Sequence, residues 1–408
     1  MNLAALALRN VARNRRRSLL TGGVVVVGFT AFALAGGFMA QSLEGLSEGT
    51  IRNGIGHLQL ADAQEFAGGG TATLEHGLER AEELERIVRE DPAVLEVLPR
   101  IDFVGLLTSG TRSVPFLGTG LDPAPEARTM DQPKTLAAGR WLHDRSERGV
   151  VLGSGLAAAL GTQVGEVVTL LATTPDGTLN AVDATVVALA DIPIKELDDR
   201  FCATSLDLAG ELLGASDRVS RLVVVLRDRG AAHAALERLR QRLAGSGFHV
   251  EGKTWDELAV FYRQVRLLYL GIFGFMGTVL VVVVLLAATN TMLMAAAERT
   301  REIGTLRALG TRPAAIRRMF VIEGALLAAA ACAAGAVASL LLRQLLNHSG
   351  IVLPPPPGVT HGMPLHVEFY AAAYVAGALA MFATLMLASY VPARRAAKLP
   401  IVEALAHV

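Results

Sequence analysis

The chain has 408 residues, with 38 Lys and Arg against 38 Asp and Glu, and 52% of its residues are hydrophobic. A net charge of zero gives no sign of a nucleic-acid partner, and two cysteines, Cys202 and Cys332, leave no disulfide framework and no cysteine-built metal site. Mean hydropathy is +0.42, and it is concentrated in four stretches without Asp, Glu, Lys or Arg: 18–43, 267–297, 324–342 and 369–393.

Each stretch approaches or exceeds the roughly 20 apolar residues that cross a ~30 Å hydrocarbon core as a helix. The predicted fold is therefore four transmembrane helices plus a large extracytoplasmic α+β domain. In chain order, 1–17 is a basic, amphipathic cytoplasmic N-terminus carrying Arg9, Arg13, Arg15, Arg16 and Arg17. The first span is 18–43. Ala33-Leu34-Ala35 resembles a signal cleavage site, but 26 uncharged residues exceed a signal core of roughly 7–15. The segment reads as a retained anchor.

Residues 44–266 form the outer domain. Apolar spacing predicts helices over 74–90 and 231–243, and β-like runs fall at 103–107, 150–152, 167–171, 184–189 and 222–226. Gly and Pro clusters separate them, and the triplet 68–70 reads as a flexible turn. The mixed order favours α+β over a doubly wound sheet. Residues 247–254 match the phosphate-loop pattern G-x-x-x-x-G-K-[ST], but a helix precedes Gly247 and strand-like residues fill 248–250, the reverse of what a phosphate cradle needs. We read the match as coincidental.

The second span, 267–297, would be about 46 Å long as a helix. Residues 255–266 are expected to prolong it outward and 41–53 to prolong the first, as stalks joining the outer domain rigidly to the membrane. Residues 298–312 follow as a cytoplasmic segment. The third span is 313–343, and 344–367 is a Pro-rich external loop containing Pro354, Pro355, Pro356 and Pro357. Its His361 and His366, with His348 nearby, match no metal template. The fourth span is 368–393 and the tail is 394–408. Arginines before the first span, between spans two and three (Arg299, Arg301, Arg307, Arg312, Arg317, Arg318), and in the tail (Arg394, Arg395, Lys398) place those regions and both termini in the cytoplasm. The four uncharged stretches within the spans offer none of the charge that marks an ion or proton path. Glu323, Arg343 and Glu368 lie at span edges and read as interface or snorkelling residues.

The most informative stretch is Glu298-Arg-Thr-Arg-Glu-Ile-Gly-Thr-Leu-Arg-Ala-Leu-Gly310. Helical spacing puts Ile303, Leu306 and Leu309 on one side, and Gly304 and Ala308 form a smooth strip. Glu298, Arg299, Arg301, Glu302 and Arg307 offer ion pairs. Gly310 is expected to end the helix; Thr311 is expected to cap the next, with Pro313 in its first turn. Such a helix suits a groove on a partner. From the residues alone it is equally a membrane-edge helix whose arginines satisfy the positive-inside rule.

This stretch, with Arg317, Phe320 and Glu323, resembles the signature of FtsX-like ABC permeases. The opening Leu8-Arg9-Asn10-Val11-Ala12-Arg13-Asn14-Arg15-Arg16-Arg17 and the tail Tyr390-Val-Pro-Ala-Arg-Arg-Ala-Ala-Lys-Leu-Pro400 resemble the ends of the same family. Gly139-Arg-Trp-Leu, Val150-Val-Leu-Gly and Gly161-Thr-Gln-Val-Gly165 resemble the external core of its MacB-like and LolC/LolE-like members. The resemblance implies a non-enzymatic permease subunit in a bacterial inner membrane, pairing with a second copy or paralogue. A separate cytoplasmic ABC ATPase would bind ATP and Mg and dock on the helix matching Glu298–Gly310. Movement of the outer domains would then drive export or lipoprotein extraction, with membrane lipid and a periplasmic adaptor or lipoprotein acceptor as further partners. A subunit that transmits the same motion to a periplasmic cell-wall hydrolase is the alternative. A channel or secondary transporter would need internal repeats or buried charge.

Overall fold

The computed structural model describes residues 15–67, 74–130, 136–192, 194–248, 250–353 and 363–397. The basic stretch before Arg15, the triplet 68–70, His249, the prolines of 354–357, His361 and the tail beyond 397 lie outside the described residues. The first helix is α1 (Arg15–Thr50), followed by a π-helical turn at Ile51–Ile55. The outer elements follow: β1 (Leu58–Ala61), α2 (Ala63–Ala67), α3 (Ala81–Arg89), β2 (Val94–Thr108), β3 (Ser113–Leu121), α4 (Pro123–Thr129), β4 (Leu136–Gly139), β5 (Gly149–Gly153) and α5 (Ser154–Leu160). Next come β6 (Val167–Thr173), β7 (Leu179–Ala190), α6 (Lys195–Asp198), β8 (Phe201–Ser205), α7 (Leu206–Leu213), β9 (Arg221–Leu226), α8 (Ala232–Gly245), β10 (Glu251–Thr254) and α9 (Trp255–Leu258). The remaining elements are α10 (Val260–Glu298), α11 (Thr300–Ala308), α12 (Pro313–His348), the strand pair β11 (Val352–Leu353) and β12 (Met363–Pro364), and α13 (Ala371–Ala396). The described residues divide into a unit within 45–263 and a unit holding the rest.

Among the described residues, the outer unit is built on one ten-stranded sheet, ordered β10-β1-β9-β2-β3-β8-β5-β7-β4, with β6 pairing β2 and β7. The β3–β8 and β5–β7 pairs are parallel and the rest antiparallel. Strand alternation divides the side chains between two faces. Leu222, Val224 and Leu226 of β9 join the main core, with Leu84 and Val88 of α3, Leu156 of α5, Leu212 of α7 and Leu239 of α8. Val223 and Val225 point the other way, onto Leu98 and Met130. Helices α3, α5, α7 and α8 thus collect on one face, while α4 follows the other, where its Glu126 meets Arg100. Local signals place them: the Asp122 carboxylate caps α4, the Ser205 hydroxyl accepts from Leu208 N–H at the start of α7, and Gly214, at φ 64, closes α7. Cys202 is fully buried in this core, and burial pushes its thiol up to about 12.

Three expectations change here. The helix predicted over 74–90 begins only at Ala81, because Leu74 and Arg80 have positive φ and Leu78 bridges to Val219. Gly252 and Lys253 lie within β10, paired with Leu60 and Gln59, so no helix opens at the lysine and the phosphate-loop pattern has no cradle; the strand also starts later than 248–250 suggested. The helix before the second span starts at Val260, not at 255. Thr254 opens the separate α9 with a capping box, and Ala259 breaks the helical path.

Among the described residues, four helices are long and apolar enough to cross a membrane: Ser18–Ile55, Val260–Glu298, Pro313–His348 and Ala371–Ala396. The 39 residues of α10 make it about 58 Å long, well beyond a ~30 Å core. Their shared core mixes a few large side chains with many small ones. Val25 and Phe29 meet Val284 and Ala288 of α10, Leu327 and Ala331 of α12, and Met381 and Leu385 of α13. Small residues let the backbones approach. A Cβ added at Gly335 would lie 2.9 Å from the Phe29 ring, and one at Gly324 would collide with Ser389. Hydroxyls finish the contacts: Thr30 donates to Gly335 O at 3.2 Å, and Ser339 donates to the Tyr374 hydroxyl at 3.0 Å.

Candidate functional site

The residues singled out at 298–310 fold into a discrete helix, α11, between the second and third apolar helices. Arg299, with φ −101 and ψ 12, interrupts the path from α10. Thr300 steadies the first turn by donating to Ala297 O at 2.8 Å. Glu302 in the first turn and Arg307 in the last complement the helix dipole. At the far end Gly310 has φ 88, its N–H donates to Arg307 O, and Thr311 N–H donates to Leu306 O, both at 3.0 Å. This is the Schellman arrangement that glycine permits. Arg312, not Thr311, occupies the cap position of α12, and its side chain makes no capping bond; Pro313 fills the first helical turn.

The structure sorts the eleven candidate residues into two faces. Glu298, Arg301, Glu302, Ala308, Leu309 and Gly310 are exposed, Leu309 at 79%. Leu306 and Arg307 are half-buried. Arg299, Ile303 and Gly304 are buried. Leu309 therefore does not share a face with Ile303, because the helix has ended one residue before it. Gly304 turns inward, so the smooth strip expected at Gly304 and Ala308 is not an open groove.

Arg299 is likewise not part of the outer face. Its Nη1 donates to Glu323 Oε2 at 3.1 Å and Oε1 at 3.4 Å, with side chains 5% and 10% exposed. Glu323 is thus a buried partner in an ion pair rather than a snorkelling residue. Two further guanidinium nitrogens of Arg299, Nε and Nη2, are buried without an acceptor among the described residues. Ile303 packs in a cluster with Ile316, Met319 and Phe320 of α12 and Ala393 and Ala396 of α13. Ile316, Phe320 and Glu323 stand at i, i+4 and i+7, one face of a helix, so the sequence spacing alone could have pointed to this seat. Of the other span-edge charges, Arg343 lies over the Phe369 ring at 6.0 Å, and Glu368 is exposed. Among the described residues, no cluster of His, Cys, Asp and Glu could hold a metal ion.

Comparison with known proteins bears on both units. Residues 274–401 match the family model for the FtsX-like permease C-terminal region, and residues 18–242 match that for the MacB-like periplasmic core domain. The lipoprotein-releasing system transmembrane protein LolC of Neisseria meningitidis is 25% identical over 257 residues, 59% of each chain. LolE of Haemophilus influenzae is 24% identical over 257 residues. The ABC transporter permease YtrF of Bacillus subtilis is 36% identical over 92 residues, 22% of this chain and 21% of its own. The match thus spans about 59% of the length of the first of these relatives. Among solved structures, the periplasmic region of MacB from Actinobacillus actinomycetemcomitans aligns at 14% identity and TM-score 0.37, over 51% of this chain and 93% of that one. The extracellular domain of the ABC-type transporter YknZ from Gram-positive bacteria aligns at 11% identity and TM-score 0.36, over 48% and 98%. The core-domain match alone covers more than half of the 408 residues and the permease match adds most of the remaining helices, and on that basis the chain belongs to the FtsX-like ABC transporter permease family with a MacB-like periplasmic core domain.

Proposed function

We propose that this chain is the membrane subunit of an ABC transport complex, that a separate cytoplasmic ATPase grips the exposed face of α11, and that the resulting motion rearranges outer domains in export or in extraction of a lipophilic or lipoprotein cargo. In this reading two permease chains pair, as copies or paralogues, and ATP and Mg belong to the ATPase. Both termini face the cytoplasm of a bacterial cell, and residues 45–263 lie in the periplasm. The observation that carries the reading is the form of α11: a short, capped helix between two apolar helices, presenting Arg301, Glu302 and an almost fully exposed Leu309. An apolar knob ringed by charges is what a groove-binding helix offers a partner. Lipoprotein-releasing relatives among the matches favour a lipophilic cargo.

The test is purification of the full chain from membranes with whatever ATPase it retains, comparing wild type with Glu302→Arg and Leu309→Asp. Both variants should insert normally and lose ATPase recovery by about tenfold or more, as hot-spot residues do. Full recovery in both would remove α11 from the docking role. Thiol labelling of Asp176→Cys in intact cells, with Thr305→Cys labelled only after lysis, checks the orientation; the opposite pattern would end the proposal.

A further inference from the structure

The short helix follows α10 in sequence but is seated elsewhere. Its path from α10 is broken at Arg299, the residue whose side chain crosses to Glu323 of α12. Its other end runs into α12 through the Gly310 turn, a short connection whose two 3.0 Å backbone hydrogen bonds close back onto the last turn of α11. Between these fastenings Ile303, 1% exposed, lies against Ile316 and Phe320. Of the eight members of that cluster, only Ala296 belongs to α10. An ion pair at one end and the packed Ile303 tie α11 to α12, with Ala393 and Ala396 of α13 completing the seat, whereas α10 meets α11 through one non-helical residue, Ala296 and the Thr300 hydroxyl's contacts with Ala296 O and Ala297 O.

The ion pair is an inefficient way to gain stability. A buried pair must offset the desolvation of two charges, and it does so only when the remaining donors are met. Here Nε and Nη2 of Arg299 are not met by any described residue, and an apolar pair of similar volume would commonly be at least as stable. What the pair supplies is direction: a charged side chain in an apolar seat has one place to go.

We infer that α11 and the cytoplasmic end of α12 move as one body about a hinge at Arg299, so that a force applied to α11 enters the membrane through the third apolar helix rather than the second. Arg299 and Glu323 are the positioning residues that hold the body together. The inference rests on the docking of an ATPase at α11 and goes beyond it by naming the route of the stroke. Arg299 then touches no ATPase, although it lies inside the motif.

The experiment uses the full chain with its ATPase in lipid nanodiscs. Spin labels at Thr305 and Arg318 report α11 against α12; labels at Thr305 and Met294 report α11 against α10. Vanadate-trapped nucleotide should leave the first distance unchanged and alter the second. Glu323→Gln should keep the ATPase bound while lowering its permease-dependent stimulation by about tenfold, a separation of binding from coupling that simple loss of structure does not produce. The inference is overturned if the first distance changes as much as the second, or if Glu323→Gln retains full stimulation. Should Glu323→Gln fail to insert, the label distances in the otherwise wild-type chain decide alone. A wild-type chain that retains no ATPase removes the docking reading and this inference with it; a wild-type chain that is stimulated beside an equally stimulated Glu323→Gln removes only the inference.

Discussion

The outer unit and the membrane unit each bury a carboxylate that an arginine meets, and the two pairs are built differently. In the outer unit Asp91, 1% exposed, accepts from Arg238 Nε at 2.9 Å and Nη2 at 3.0 Å, and from Ala93 N–H at 2.9 Å. The arginine there is itself 44% exposed, so water meets its remaining donors. In the membrane unit both partners are buried and only Nη1 of Arg299 is engaged by Glu323. The first pair is a saturated fork in which one partner stays solvated. The second is enclosed and incompletely met. The contrast separates a pair that stabilises a fold from a pair that holds a direction.

The largest effect that would sharpen this contrast is in the outer unit. Arg238→Met leaves the Asp91 carboxylate without the cation that donates two hydrogen bonds to it and should lower the unfolding free energy of the full chain, measured in detergent. The pH dependence tests the same pair. Hydrogen bonds from Arg238, the largest cause, hold the Asp91 carboxyl below its usual value. A lowered native value means stability is complete above the ordinary aspartate range and is lost as pH falls through it toward the lowered one. Arg238→Met removes that cause and leaves the Ala93 N–H bond, which lowers the carboxyl, against burial, which raises it, so the loss of stability on acidification through Asp91 should shrink. An unchanged acid slope in the variant would break the comparison.

A second effect, smaller, concerns packing in the membrane unit. There the close contacts are made by what is missing from the side chain. Gly324→Leu drives a bulky group onto Ser389 and should cost about 1–3 kcal/mol, measured by thermal unfolding of the purified chain. A matched substitution at Gly110 of the outer unit, with a leucine in open space at positive φ, should cost less, near the ~1 kcal/mol of local backbone strain.

Legibility in the sequence follows the same division. The four apolar helices are legible because a run of about twenty residues without a charge is what crossing a hydrocarbon core demands and what a solvent-facing helix does not sustain. The β-like runs at 103–107, 150–152, 167–171, 184–189 and 222–226 all fall inside observed strands, since each is dominated by apolar and β-branched residues. Strand β3 offers no such run, because Pro115, Gly118 and Gly120 resemble turn residues. The structure uses two of those glycines in the sheet: a side chain at Gly118 would strike the Phe103 ring, and one at Gly120 would strike Ala209. Phe103 lies across the ladder on β2 and Ala209 far along the chain in α7, so neither close approach leaves a trace in the sequence of β3 itself. At α11 the motif, the glycine stop and the proline start are visible. Which residues turn inward is not, because the seat is made by α12 and α13, and only the Ile316–Phe320–Glu323 spacing hints at it.

The smallest stability effect is expected where the functional effect is largest. Leu309 stands 79% exposed beyond the end of α11 and belongs to no buried cluster among the described residues. Leu309→Asp should therefore change unfolding free energy by no more than about 0.5 kcal/mol, the range of ordinary surface substitutions. Ile303→Asp, only six residues earlier, forces a carboxylate into the cluster with Phe320 and Ala393 and should cost several kcal/mol. If the two variants unfold alike, α11 has no inner and outer face and the assignment of its exposed residues to a partner loses its basis. If they differ as stated while both lose the ATPase, the outer face is the one whose loss of binding does not come from unfolding.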